Sequence, residues 1–200
     1  MIVLVGESAS GKSTVENLLR DKYGYTKTVS YTTREPRQNE IQGVDYNFIT
    51  RDEFEKKHND GFFAEVGSYN GWLYGTTKEQ YTDNTVAVLT PHGLRQLKKI
   101  FQEKEISSFY INVPRRDRLI KILQRGDNID EAIRRNQSDV GQYDGIEDEV
   151  SFVIQNDGYK KKPEDIASEI LLLIVGDAYD DANEKTLCDI YDKKAKSPLL

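Results

Sequence analysis

The chain has 200 residues, 37% apolar and 31% charged, and its 28 Lys and Arg against 34 Asp and Glu give a formal net charge of −6. That content of Ile, Leu, Val, Phe and Tyr excludes a disordered chain, and the negative balance is the opposite of what a sequence-independent nucleic-acid binder carries. The single cysteine, Cys188, excludes an intramolecular disulfide and, with only His58 and His92 beside it, a Cys/His metal site; the cytoplasm is the expected compartment.

In chain order, Met1–Val5 reads as a short buried parallel strand ended by Gly6. It is too short for a signal-peptide core, and no run approaches the ~18 apolar residues of a membrane span. A helix is predicted from Ser13, with Val15, Leu18 and Leu19 at helical spacing and Gly24 past its end. Residues 30–80 are rich in Tyr, Phe and Trp and read as a small β-rich insertion. Its one clear helix starts at Thr50-Arg51-Asp52-Glu53, which has capping-box spacing. Further buried strands are predicted at Thr85–Leu89, Ser108–Val113 and Val150–Gln155. Helices are predicted over Gly93–Glu103, with Leu94, Leu97, Ile100 and Phe101 inward, and over Arg115–Gln124, with Leu119, Ile122 and Leu123 inward. A last helix runs from Pro163 through Val175, with Ile166, Ile170, Leu171 and Ile174 inward. This alternation predicts an α/β fold, a parallel sheet flanked by helices, with a core over 1–29 and 81–175. Residues 176–200 form an acidic extension, read as loosely docked, with partner binding as the sharper alternative.

Gly6-Glu7-Ser8-Ala9-Ser10-Gly11-Lys12-Ser13 matches G-x-x-x-x-G-K-[ST], and it sits between a strand and a helix, the context that makes this motif a P-loop. Glycines let successive backbone N–H groups turn inward toward phosphate oxygens, and the following helix adds its positive end. Lys12 places a point charge on the β- and γ-phosphates, and the Ser13 hydroxyl is a Mg²⁺ ligand candidate. The expected ATP-binding residues are therefore Gly6, Ser8, Ser10, Gly11, Lys12, Ser13 and Thr14, with Mg²⁺ at Ser13.

A second anion site is expected from Ser30-Tyr31-Thr32-Thr33-Arg34-Glu35-Pro36-Arg37, which holds two arginines around a rigid proline. Guanidinium forks match phosphate oxygens in pairs, and Tyr46 adds a hydroxyl nearby. Asn70-Gly71 between two strand-like runs is a two-residue hairpin signal. That turn pairs Tyr69 with Trp72, Gly67 with Tyr74 and Glu65 with Thr76, so Glu65, Tyr74 and Thr76 share one face. A covered carboxylate there needs donors. The N1–H and N2–H₂ of guanine supply them, whereas adenine presents an acceptor, and a site built on such bonds rejects the wrong ligand by ~10⁴.

These residues, together with Gly43-Val44-Asp45-Tyr46, Tyr74-Gly75-Thr76, Arg125-Gly126 and Ile154-Gln155-Asn156-Asp157, resemble the guanylate kinase family from Ile2 to about Ile174. The resemblance implies phosphoryl transfer from ATP to GMP or dGMP on a P-loop core with a nucleotide-monophosphate-binding insertion and a short helical lid at about 125–145. It implies that Arg34, Arg37, Tyr46 and Tyr74 hold the acceptor phosphate, that Ser30, Glu65 and Thr76 surround the guanine, and that Asn156 lies near the adenine. Lys12, Arg125 and Arg134 or Arg135 would neutralise the transferring group. The alternative for Arg135 is a helix-surface pair with Asp139 at i,i+4. Members of that family usually carry Asp-x-Asp at the end of the Thr85–Leu89 strand; here Val88 and Thr90 stand in those places, and His92 nearby reads as a cap or surface residue. The expected partners are nucleotides only, with neither nucleic acid nor membrane, and the protein is expected to be a monomer or homodimer. The competing readings are a non-catalytic guanylate-kinase-like binding module and a P-loop kinase for another small phosphorylated acceptor.

Overall fold

The computed structural model describes residues 1–37, 39–69, 71–124, 126 and 129–176. Arg125 and residues 177–200 of the acidic extension lie outside the described residues. The strands are β1 (Ile2–Val5), β2 (Thr26–Lys27), β3 (Tyr31–Thr32), β4 (Asn47–Phe48), β5 (Glu65–Tyr69), β6 (Trp72–Thr76), β7 (Thr85–Val88), β8 (Ser107–Asn112) and β9 (Phe152–Gln155). The helices are α1 (Lys12–Tyr23), α2 (Arg51–Asn59), α3 (Pro91–Leu97), α4 (Arg115–Gln124), α5 (Ile129–Asp139) and α6 (163–176). No helix among the described residues is long and apolar enough to cross a membrane.

One sheet has the order β2-β7-β1-β8-β9 with every pairing parallel. Its central strand shows why the sequence there is uniformly apolar. Ile2 and Leu4 pack with Val15, Leu19, Ile166 and Ile170 on one face. Val3 and Val5 pack with Leu94, Leu97, Tyr110 and Ile146 on the other. Period-two alternation thus feeds two cores, one under α1 and α6 and one under α3. Helix α1 ends where Gly24 takes a left-handed conformation, its N–H on the Arg20 carbonyl and the Tyr25 N–H on that of Leu19.

Several expectations shift. The helix expected over Gly93–Glu103 is Pro91–Leu97, because Thr90 caps the Gly93 N–H at 3.2 Å and Pro91 supplies the first helical position. It stops early because Gln102 and Glu105 cap a new turn that leads into β8, and Ile100 is left 41% exposed. On α4 Leu123 points outward at 62% exposure, while Arg118 turns inward at 4%, one helical turn before buried Ile122. Val153, in edge strand β9, is also exposed. His92 is a surface residue. Strand β2 was not expected at all; two residues carry too little pattern to read.

The second sheet has the order β4-β3-β6-β5. Its hairpin has the register expected from the turn: Tyr69 opposite Trp72, Gly67 opposite Tyr74 and Glu65 opposite Thr76. Helix α2 begins with the expected capping box, Thr50 and Glu53 each bonding the other's backbone N–H. The Gln96 side chain joins the two sheets' layers by donating to the Val66 carbonyl at 2.7 Å and accepting from the Val66 N–H at 3.0 Å. Under β6, Phe54 and Phe63 stack at 4.6 Å, and a Cβ on Gly75 would fall 2.9 Å from the Phe63 ring and 3.1 Å from Phe54. Gly75→Ala is therefore expected to destabilise the protein by ~1–3 kcal/mol, measured by denaturant unfolding with a near-UV signal.

Candidate active site

Strand β1 runs directly into the Gly6–Ser13 turn, and α1 leaves it. A Cβ on Gly6 would lie 2.7 Å from the Ser10 Oγ and 2.8 Å from the Ile111 carbonyl oxygen, so no other residue fits against β8. Ala9 holds a φ of +66°, which costs an L-residue ~1–2 kcal/mol. The Tyr159 hydroxyl donates to the Ala9 carbonyl at 2.7 Å and holds the turn in that shape. Lys12 folds back over the turn, its Nζ 2.5 Å from the Gly6 carbonyl and 2.8 Å from that of Glu7. Burial lowers its pKa to about 8, with Asp139 and Glu7 pulling it back up and Arg118 opposing them.

This nest forms one wall of a cleft of about 510 Å³. Ser8, Gly11, Lys12, Ser13 and Thr14 line it from the nest; Ser30, Arg34, Arg37, Tyr46, Glu65 and Tyr74 face them from the second sheet. Arg135 closes one side from α5, and Val88 and Thr90 come from the end of β7. The two expected anion sites therefore share one cavity. Gly6, Ser10 and Thr76 stand just behind the lining, Ser10 and Thr76 fully buried. Two residues depart from the expected arrangement. The Ser8 N–H is already taken, donating to the Asp139 Oδ2 at 2.9 Å. Asn156 is buried outside the cleft lining, and its side chain both donates to the Lys161 carbonyl and accepts from the Lys161 N–H. It shapes the loop after β9.

On the acceptor wall, Arg34 is 6% exposed and its Nη2 donates to both Glu40 carboxylate oxygens at 2.9 Å. Glu40 also accepts from the Arg37 N–H at 2.7 Å. The guanidinium lies over the rings of Tyr46 and Phe48, 5.4 and 5.8 Å from their centroids. Its position is thereby set before any anion arrives. Sequence reasoning missed Glu40, although its three-residue spacing from Arg37 is the signal that an acidic side chain caps this turn.

Glu65 is buried at 6% exposure. The start of α3 covers it: a Cβ on Gly93 would come 3.4 Å from the Glu65 Oε2. Tyr81 donates to the Glu65 Oε1 at 3.2 Å, and the Thr76 hydroxyl, itself 2.8 Å from that of Ser30, bonds the same carboxylate. Burial raises the Glu65 pKa, and the Thr76 and Tyr81 hydrogen bonds oppose the rise. The result is a desolvated carboxylate with room for further donors from the cleft.

The Guanylate kinase family model matches residues 1–171. The guanylate kinase of Chlorobaculum tepidum is 32% identical over 178 residues, which cover 85% of this chain and 91% of that one. The guanylate kinase of Rubrobacter xylanophilus is 28% identical over 182 residues, covering 88% and 95%. The crystal structure of guanylate kinase from Anaplasma phagocytophilum shares the fold with a TM-score of 0.63 at 23% identity, covering 88% of this chain and 85% of that one.

The buried carboxylate gives a direct test of the geometry. Glu65 is expected to titrate above an ordinary glutamate, and Tyr81→Phe, which removes a donor to the ionised form, moves that titration further upward. Carboxyl-carbon NMR across a pH series measures both.

Proposed function

Since the chain belongs to the guanylate kinase family, we propose that it transfers the γ-phosphoryl group of ATP to GMP or dGMP in the cleft between the Gly6–Ser13 nest and the Arg34–Arg37 turn. The observation that carries this reading is that both anion sites and the buried Glu65 line one cavity. The inward N–H groups of the nest and Lys12 hold the donor phosphates. Arg34, Arg37, Tyr46 and Tyr74 hold the acceptor phosphate, with Arg34 kept in place by Glu40. Ser30, Glu65 and Thr76 select the base: the Glu65 carboxylate accepts from guanine N1–H and N2–H₂, an edge that adenine does not offer.

No covalent intermediate is needed. An acceptor phosphate oxygen attacks the γ-phosphorus as the bond to the β-phosphate oxygen breaks, and ADP leaves. The protein aligns the two nucleotides, offsets their charge with Lys12 and Arg135, and keeps water out. Arg125 is assigned the same charge-neutralising role by its place in the sequence. Mg²⁺ takes a largely water and phosphate shell with few protein oxygens. Among the described residues no group of three or more His, Cys, Asp or Glu could hold a metal, while Ser13 lines the cleft at the start of α1. That donor set suits an ion carried in on the nucleotide, where it offsets phosphate charge.

Incubation with Mg-ATP and each common ribo- and deoxynucleoside monophosphate is expected to yield ADP and diphosphate with GMP or dGMP. ATP binding with no ADP formed from any acceptor would make the chain a binding module instead. Lys12→Ala and Arg37→Ala are each expected to lower kcat/KM by ~10³-fold or more. Glu65→Ala removes two charge-assisted bonds and is expected to raise the GMP KM by ~10²-fold or more with little change in that for ATP. Glu65 must be ionised to accept, and burial raises its pKa. Ionisation is thus lost at a higher pH than for an ordinary carboxylate as the solution is acidified. The GMP KM is expected to climb through that range while the ATP KM does not follow it, as steady-state kinetics across pH will show.

A further inference from the structure

Helix α5 ends against the phosphate nest. The Asp139 Oδ2 accepts from the Ser8 N–H at 2.9 Å and lies 3.7 Å from the Arg118 Nη1. Arg118, from α4, reaches the Glu7 Oε1 at 3.2 Å, the Ser8 carbonyl at 3.4 Å and the Val113 carbonyl at 3.0 Å. The Tyr110 hydroxyl, from β8, donates to the other Glu7 oxygen at 3.1 Å. The side chains of Arg118, Asp139 and Glu7 are only 5%, 10% and 13% exposed. A second tie lies one turn back along α5, where the Arg115 Nε donates to the Asn136 Oδ1 at 2.8 Å.

Four elements meet in this knot, and its charges balance: Glu7 and Asp139 against Arg118 and Lys12. Removal of one member leaves a partly desolvated charge uncompensated. Arg135 precedes Asp139 by four residues and so lies on the same helix face, and it lines the cleft. An anchor at Asp139 therefore fixes the approach of Arg135 and the shape of the nest together.

We propose that Asp139 is a positioning residue for phosphoryl transfer: it bolts the last turn of α5 to the nest through the Ser8 N–H and Arg118, which aims Arg135 into the cleft and holds the nest in shape. The inference rests on the kinase reading above.

Two variants separate charge from the hydrogen bond. Asp139→Asn keeps an acceptor for the Ser8 N–H and loses the charge, whereas Asp139→Ala loses both. Gln137→Ala, an exposed site on the same helix, is the control. For Asp139→Ala, kcat is expected to fall roughly 10- to 100-fold, the size of effect that small misplacement of a catalytic group produces, with the GMP KM within about twofold of the parent. For Asp139→Asn, which keeps the acceptor and loses the charge facing Arg118, kcat is expected to fall by a smaller factor with the GMP KM again near the parent's, and for Gln137→Ala neither constant is expected to change. Parental kcat in both Asp139 variants would overturn the proposal. So would a loss of kcat that only tracks loss of folded protein in Asp139→Ala while the isosteric Asp139→Asn stays parental. If the parent forms no ADP with any acceptor, the kinase reading fails on its own. Calorimetry with Mg-ATP then reads the nest directly: roughly tenfold weaker binding to Asp139→Ala supports the anchor, and equal binding refutes it.

Discussion

Close approach of backbone to backbone at Gly6 is the constraint from which the rest of the molecule follows. The turn after β1 passes within contact distance of the Ile111 carbonyl on β8 and of the Ser10 side chain, leaving no volume for a Cβ. Only so does the turn pass this closely along β8 and lead directly into α1. The same curl buries Lys12 against the Gly6 and Glu7 carbonyls. A buried ammonium is costly, and burial lowers the Lys12 pKa against the opposing pull of two acidic neighbours, Asp139 and Glu7.

Charge is organised in advance of ligand on both walls of the cleft. On one side Arg34 is held by Glu40, the Glu35 carbonyl and two aromatic faces. On the other, Arg118 spans Glu7 and Asp139 behind the nest. Glu40 thus fixes a guanidinium that lines the cleft, so less entropy is spent when an anion binds there, while Arg118 braces the nest from behind. Preorganised dipoles and charges of this kind stabilise a transferring phosphoryl group without rearranging during the step.

The end of β7 contributes little charge. Thr90 commits its hydroxyl to the Gly93 N–H as the cap of α3, and Val88 packs on the core while its surface faces the cleft. In the proposed reaction, orientation of the base therefore falls on the opposite wall, to Glu65, Thr76 and Ser30. Gly93 matters to that set, since it lets the first turn of α3 cover the Glu65 carboxylate, and the Gln96–Val66 pair holds helix and strand together.

Local chemistry was legible in the residues. The apolar run into a glycine turn, the Thr50–Glu53 capping box and the Asn70-Gly71 hairpin register each depend on neighbours within a few positions, so spacing alone determines them. That Glu65, Tyr74 and Thr76 share a face followed from that register, whereas a base-binding role for Thr76 and Ser30 came only through the resemblance. What only the tertiary structure decided is which distant groups become partners. Arg118 reads as one more helix-surface charge, yet it lies buried against Glu7, 111 positions away. Asp139 reads as a partner for Arg135, yet it accepts from the Ser8 N–H across 131 positions. Asn156 reads as a ligand residue, yet its amide exchanges hydrogen bonds with the Lys161 backbone. A buried polar group takes whichever partner packing brings within hydrogen-bond reach, and helical or strand periodicity carries no information about that distance.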